Sequence, residues 1–121
     1  MLAVRLFLPG EMLLEPDPPK AIRPIIADEM SCNDRGDFSR IDPNAGLEVF
    51  VREIGSDGDT SADLIIYVEI GAINYPTWGI SLGDRAEKIR RSVQLLPCLS
   101  PCERVAVHLY PLVASWAVAV A

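Results

Sequence analysis

Ala62-Asp-Leu-Ile-Ile-Tyr-Val-Glu-Ile-Gly-Ala-Ile73 is the stretch on which the fold turns. From Leu64 to Ile70 it is apolar everywhere except Tyr67 and Glu69. A short β-branched run of this kind suits a strand buried on both faces and is too short to span a bilayer. The remaining elements are read outward from this central strand.

Leu2 to Leu8 alternates, with Leu2, Val4, Leu6 and Leu8 on one side and Ala3, Arg5 and Phe7 on the other, which predicts a strand with one aliphatic face. Asp17-Pro18 reads as a helix cap followed by proline in the first turn. Ile22, Ile25, Ile26 and Met30 follow at helical spacing, with Pro24 expected to kink or begin the helix. Leu47 to Ile54 predicts a second strand, and Asp57-Gly58 predicts a tight hairpin into the central one. Ser81 opens a second helix whose stripe is Leu82, Ala86, Ile89, Val93 and Leu96, with Asp84–Lys88 and Glu87–Arg91 pairs on the solvent side. Arg104 to Tyr110 predicts the fourth strand, and Leu112 to Ala121 an extra C-terminal strand.

The order strand, helix, strand, strand, helix, strand predicts one α+β domain over residues 1–121, in the ferredoxin-like βαββαβ arrangement. Both helices are expected on one face of the sheet. The other face then collects Arg5, Phe7, Phe50, Arg52, Ile65, Tyr67, Glu69, His108 and Tyr110. Phe7, Phe50, Ile65, Tyr67 and Tyr110 are expected to lack cover from their own chain, and a patch of that kind marks a contact or a ligand site. Glu69 and His108 are the candidate acid/base pair. Arg5 and Arg52 are candidate anion binders, and Phe7, Phe50, Tyr67 and Tyr110 candidate ligand contacts.

The net charge of −6 arises wholly in the first half: residues 1–61 carry twelve acids and six bases, residues 62–121 five of each. An acidic chain repels phosphate backbones, so nucleic acid is not an expected partner. Cys32, Cys98 and Cys102 lack the spacing and the companion ligands of a zinc site. An odd cysteine count suits three free thiols in the cytoplasm, and neither a metal nor a cofactor is expected. The apolar run after Arg104 is interrupted by Pro111 and lacks a basic flank, so no membrane span is expected. Burying the tail and the open sheet face predicts a homo-oligomer, a dimer or trimer, with Trp116 near the contact.

Ser61-Ala-Asp-Leu-Ile-Ile-Tyr-Val-Glu-Ile70, Gly83-Asp-Arg-Ala-Glu-Lys-Ile-Arg-Arg91 and Cys102-Glu-Arg-Val-Ala-Val-His-Leu-Tyr-Pro111, with Trp116 downstream, together resemble the second half of a tautomerase-superfamily chain, over residues 61–117. The resemblance implies an alternative fold, two β-α-β halves set side by side without a tight hairpin, and assembly as trimers or hexamers. The family's catalytic proline follows the initiator methionine; Leu2 stands there in this chain, so no catalytic residue carries over. Two functions are therefore weighed. The first is a ligand-binding or interaction module. The second is a small isomerase or tautomerase-like enzyme using Glu69 and His108 on a small anionic substrate.

Overall fold

The structure, a computed structural model, describes residues 2–31, 41–44, 46–70 and 82–111. The chain forms β1 (Leu2–Leu8), α1 (Asp17–Met30), β2 (Leu47–Glu53), β3 (Leu64–Ile70), α2 (Leu82–Gln94) and β4 (Val105–Pro111), with short 3-10 turns at Gly10–Met12 and Pro97–Leu99. It is an α+β fold with a four-stranded mixed sheet in the order β2-β1-β3-β4. The β1–β2 and β3–β4 pairs are parallel, each joined through a helix, as a crossover requires. At the centre, β1 and β3 run antiparallel.

This order corrects the expected hairpin. Asp57-Gly58 does turn the chain: Gly55 and Gly58 have φ of +86° and +89°, and the Gly58 N–H donates to the Gly55 carbonyl at 2.9 Å. A left-handed backbone of this kind favours glycine. Yet the turn does not set β2 beside β3. Residues 54–63 instead cross the end of β1, where the Ile54 N–H donates to the Leu8 carbonyl at 2.7 Å. Two strand spacings are about 10 Å, well within the reach of that segment. The partner of β3 is therefore chosen by packing: β1, aliphatic on one face and fully paired on both edges, takes the middle of the sheet.

Both helices cover the face made by Leu2, Val4, Leu6 and Leu8 of β1 with Leu64, Ile66, Val68 and Ile70 of β3, all buried. Ile22, Ile26, Ala27 and Met30 descend from α1, Ile89 and Val93 from α2. The expected stripe of α2 is largely found, with Leu82 and Leu96 partly buried. Pro24 neither starts nor interrupts α1. Pro24 and Lys20, whose carbonyl loses its helical donor, both lie on the exposed side, where the carbonyl is open to solvent. Pro18 sits in the first turn as expected, but Pro16 occupies the cap position and no side chain caps the helix.

Arg85 was not visible as a core residue in the sequence. It is 5% exposed, and its Nη1 donates to the Glu29 carbonyl in the last turn of α1. The last carbonyls of a helix have no internal donor, so this contact ties the start of α2 to the end of α1. On the solvent side Glu87 meets Arg91 at 3.3 Å, as expected, and receives a second pair of bonds from Arg90. The hydrogen-bonded Arg90 guanidinium holds the Glu87 carboxyl down to about 2.

The open face is less open than expected. The loop after β2 folds back over part of it, and Phe7 (4% exposed) and Ile65 (0%) pack with Ala62 and Ile54 in a second small cluster. Phe50 remains exposed at 42%. No helix among the described residues is long and apolar enough to cross a membrane. The expected tail strand, with Trp116, and the Ser81 cap lie outside the described residues.

Candidate functional site

Strand register assembles the site. Arg5 lies opposite Tyr67, and Tyr67 opposite His108, so the three form one row across β1, β3 and β4. Glu69 lies opposite Tyr110 in the next row. The imidazole of His108 stacks on the Tyr67 ring at 4.9 Å between centroids and 18° between planes. Phe7 and Tyr110 meet the same ring edge-on at 5.6 and 6.4 Å. The Arg5 guanidinium lies 5.1 Å from the Tyr67 centroid, in cation–π range.

Tyr110 is the junction of the polar groups. Its hydroxyl donates to Glu69 Oε1 at 2.9 Å and accepts from Arg5 Nη2. Arg5 Nη2 also stands 3.6 Å from Glu69 Oε1. Arg5 Nε is buried without a partner. The Tyr67 hydroxyl reaches back to Asp59 Oδ2 at 3.4 Å.

A cavity of about 450 Å³ opens beside these groups. Because β4 is the outer strand, the cavity takes residues from both of its faces. Arg5, Tyr67, His108 and Tyr110 supply the polar and aromatic wall. Val107 and Leu109, with Leu82, Gly83 and Ala86 of the first turns of α2, supply the aliphatic wall.

Four of the eight residues singled out from the sequence thus meet at one cavity. Glu69 stands behind that wall, engaged with Tyr110 and Arg5. Phe7 is buried under the loop. Phe50 and Arg52 lie on β2, the far edge of the sheet, where Arg52 Nη1 donates to the Val51 carbonyl at 2.9 Å. Sequence reasoning missed Leu82, Gly83 and Ala86, which looked like an ordinary helix start. Asp59, which meets the Tyr67 hydroxyl, was not singled out either. The one available signal was that a helix following β3 must begin near the end of β4.

Burial, first, and then the charges of Asp57 and Asp59 push the Tyr67 phenol above its usual value. Burial also raises Tyr110, with its bond to Glu69 next. A raised folded-state value means that the neutral phenol is favoured by folding. That contribution is complete below about pH 10 and is lost as pH rises through the folded values. Thermal stability should therefore fall in alkali as the phenolates appear in the ultraviolet spectrum. The fall should be shallower in Tyr67→Phe; equal slopes in the two proteins would remove Tyr67 from this account.

Cys98 and Cys102 are free thiols, and burial raises Cys102 above the usual thiol range. Among the described residues no group of three or more histidine, cysteine or acidic side chains is placed to hold a metal ion. Cys32 lies outside them. The chain matches no protein-family model, and no curated protein is similar to it in sequence.

Proposed function

We propose that the domain binds a small organic anion with a flat apolar body in the cavity beside β4. The observation that carries this reading is the convergence of Arg5, Tyr110 and His108 on one side of a space whose other side is aliphatic. Ligand sites commonly have this composition, an apolar wall with a few convergent polar groups. The Arg5–Glu69 pair supports it too. Both side chains are partly exposed, at 43% and 29%, and such pairs are worth about 0–1 kcal/mol. An incoming carboxylate therefore displaces Glu69 at small cost, and Arg5 offers it a charge-assisted bond. Free thiols at Cys98 and Cys102 suit the reducing cytoplasm as the place of action.

Benzoate is a suitable probe. Titrated against isotope-labelled protein, it should shift the resonances of His108, Tyr110 and Gly83 together, leaving Phe50 and Arg52 unmoved. Shifts centred on β2, or none at millimolar benzoate, would refute the assignment of the site.

A second reading has one observation in its favour. Two β-α-β halves side by side, in the order β2-β1-β3-β4, are the arrangement that the tautomerase resemblance implies. In that reading His108 and Tyr110 would exchange protons with a bound keto acid, and Glu69 would act through Tyr110. Leu2 is fully buried, which leaves no room for a catalytic amine at that position. Binding without chemistry is preferred because the Glu69 carboxylate is turned to its two neighbours instead of to the cavity.

A further inference from the structure

We infer that β2 is a self-complementary edge through which two copies of this chain join into one continuous sheet. The inference rests on which backbone groups β2 leaves unpaired and on the order of its side chains.

Among the described residues, the strand Leu47-Glu-Val-Phe-Val-Arg-Glu53 has β1 as its neighbour on one side and ends the sheet on the other. Its two ends show which residues turn inward. Gly46 gives its carbonyl to Leu2 N–H at 3.1 Å, and Ile54 gives its N–H to the Leu8 carbonyl at 2.7 Å. Backbone groups alternate sides along a strand. The even-numbered residues from Gly46 to Ile54 therefore face β1, and Leu47, Val49, Val51 and Glu53 turn N–H and C=O to the other edge, where Arg23 Nη1 holds the Leu47 carbonyl at 3.2 Å and the Ser56 N–H holds the Glu53 carbonyl at 3.1 Å, so that Val49 and Val51 form the accessible centre of the ladder. A strand edge of this kind is a template for another strand.

An antiparallel partner related by a two-fold axis must set these outward residues opposite one another. Centring the axis on Phe50 does so, with Val49 opposite Val51 of the second copy as the hydrogen-bonded pair. The same register places Glu48 opposite Arg52 of the second copy, Arg52 opposite its Glu48, and Phe50 opposite its Phe50. All of these side chains lie on the face the helices leave uncovered. Moving the axis one step either way sets Phe50 against Glu48 or against Arg52 and breaks the charge match. Opposite charges and aromatic pairs directly across a ladder are the favourable cross-strand pairs. Leu47 against Glu53 has no such match, but it lies at the end of the ladder.

Two exposed features of β2 then have a use. Phe50, 42% exposed, would be covered by its own copy. Arg52 holds the outward Val51 carbonyl at 2.9 Å, a bond that the incoming strand replaces while the guanidinium turns to Glu48 of the second copy. A closed two-fold dimer buries one patch on both copies and leaves β4, with its cavity, at the outer ends of the joined sheet.

Sedimentation of the full-length chain tests this. Wild type should be dimeric at micromolar concentration. Arg52→Glu turns both charge pairs repulsive and should weaken association roughly tenfold or more. Adding Glu48→Arg to it restores the pairing with the signs exchanged and should recover the dimer. The register has its own test. Opposed residues of a pair without hydrogen bonds have Cα atoms about 4.5 Å apart, within disulfide range. Under mild oxidation Phe50→Cys should cross-link between chains while wild type and Glu48→Cys do not. A wild type that stays monomeric, or an oligomer indifferent to Arg52→Glu, overturns the proposal. Equal cross-linking of Phe50→Cys and Glu48→Cys overturns the register.

Discussion

Ile66→Ala should unfold a large fraction of the domain at temperatures where wild type is intact, while Leu14→Ala should change almost nothing. Both remove the same kind of surface; their surroundings differ. Ile66 is fully buried in the middle of β3, directly opposite Leu6 on one side and Val107 on the other. Leu6 is in turn opposite Val51, so one aliphatic row crosses all four strands beneath the helices. Truncating a residue in such a row loses its transfer energy and leaves a cavity that paired strands cannot close, a cost of about 2–5 kcal/mol. A domain of this size has roughly 5–15 kcal/mol in total. The melting temperature should therefore drop by about 10 °C or more. Leu14 is 98% exposed between the 3-10 turn and α1, and its truncation should stay within about 0.5 kcal/mol. Thermal melts of the two variants beside wild type check this. If Ile66→Ala melted within a degree or two of wild type, the row would not be the centre of the core.

The same row explains what the sequence made legible. Period-two alternation at Leu2–Leu8 and the unbroken run at Leu64–Ile70 announced two strands and the face each would bury, because a strand's side-chain period is fixed by its backbone. Helical spacing at Ile22, Ile26 and Met30, and at Ile89 and Val93, announced the cover on that face. The strand order was not legible. Asp57-Gly58 carries a turn preference worth little beside the burial of a whole strand, and nothing local in residues 54–63 says that they cross β1. Arg85 was illegible for a related reason. Its neighbours Asp84, Glu87 and Lys88 mark a solvated helix face, and only the approach of the α1 terminus makes a buried guanidinium favourable. Of the site, alternation alone put Arg5, Tyr67, His108 and Tyr110 on one face. It could not say that Phe50 and Arg52 would fall on the opposite edge of the sheet, since that follows from β1 and β3 standing between β2 and β4.

Arg5→Met should cost the protein most of its affinity for benzoate and little or none of its stability. Among the described residues lining the cavity the guanidinium is the one permanent cation, and a hydrogen bond to a charged group contributes about 1.5–3 kcal/mol. Losing it corresponds to roughly 10- to 100-fold weaker binding. Four effects on folding oppose one another, and the first is the loss of the hydrogen bond that Arg5 Nη2 donates to the Tyr110 hydroxyl. The surface-type pair with Glu69 contributes about 0–1 kcal/mol, and the contact with Tyr67 about as much. Against these, Nε is a buried donor without an acceptor, and leaving such a group unsatisfied costs about 1–3 kcal/mol. Methionine keeps the apolar stem over the Tyr67 ring and removes that donor. The Tyr110–Glu69 bond, at 2.9 Å, does not need Arg5. The losses and the gain nearly offset, so the melting temperature should stay close to that of wild type, while the benzoate-induced shifts at His108 and Tyr110 need far higher ligand. A variant that binds as wild type does would show that the anion is held elsewhere. A variant that loses binding and unfolds together would make Arg5 a structural residue, with its pairing to Glu69 and Tyr110 as its whole role.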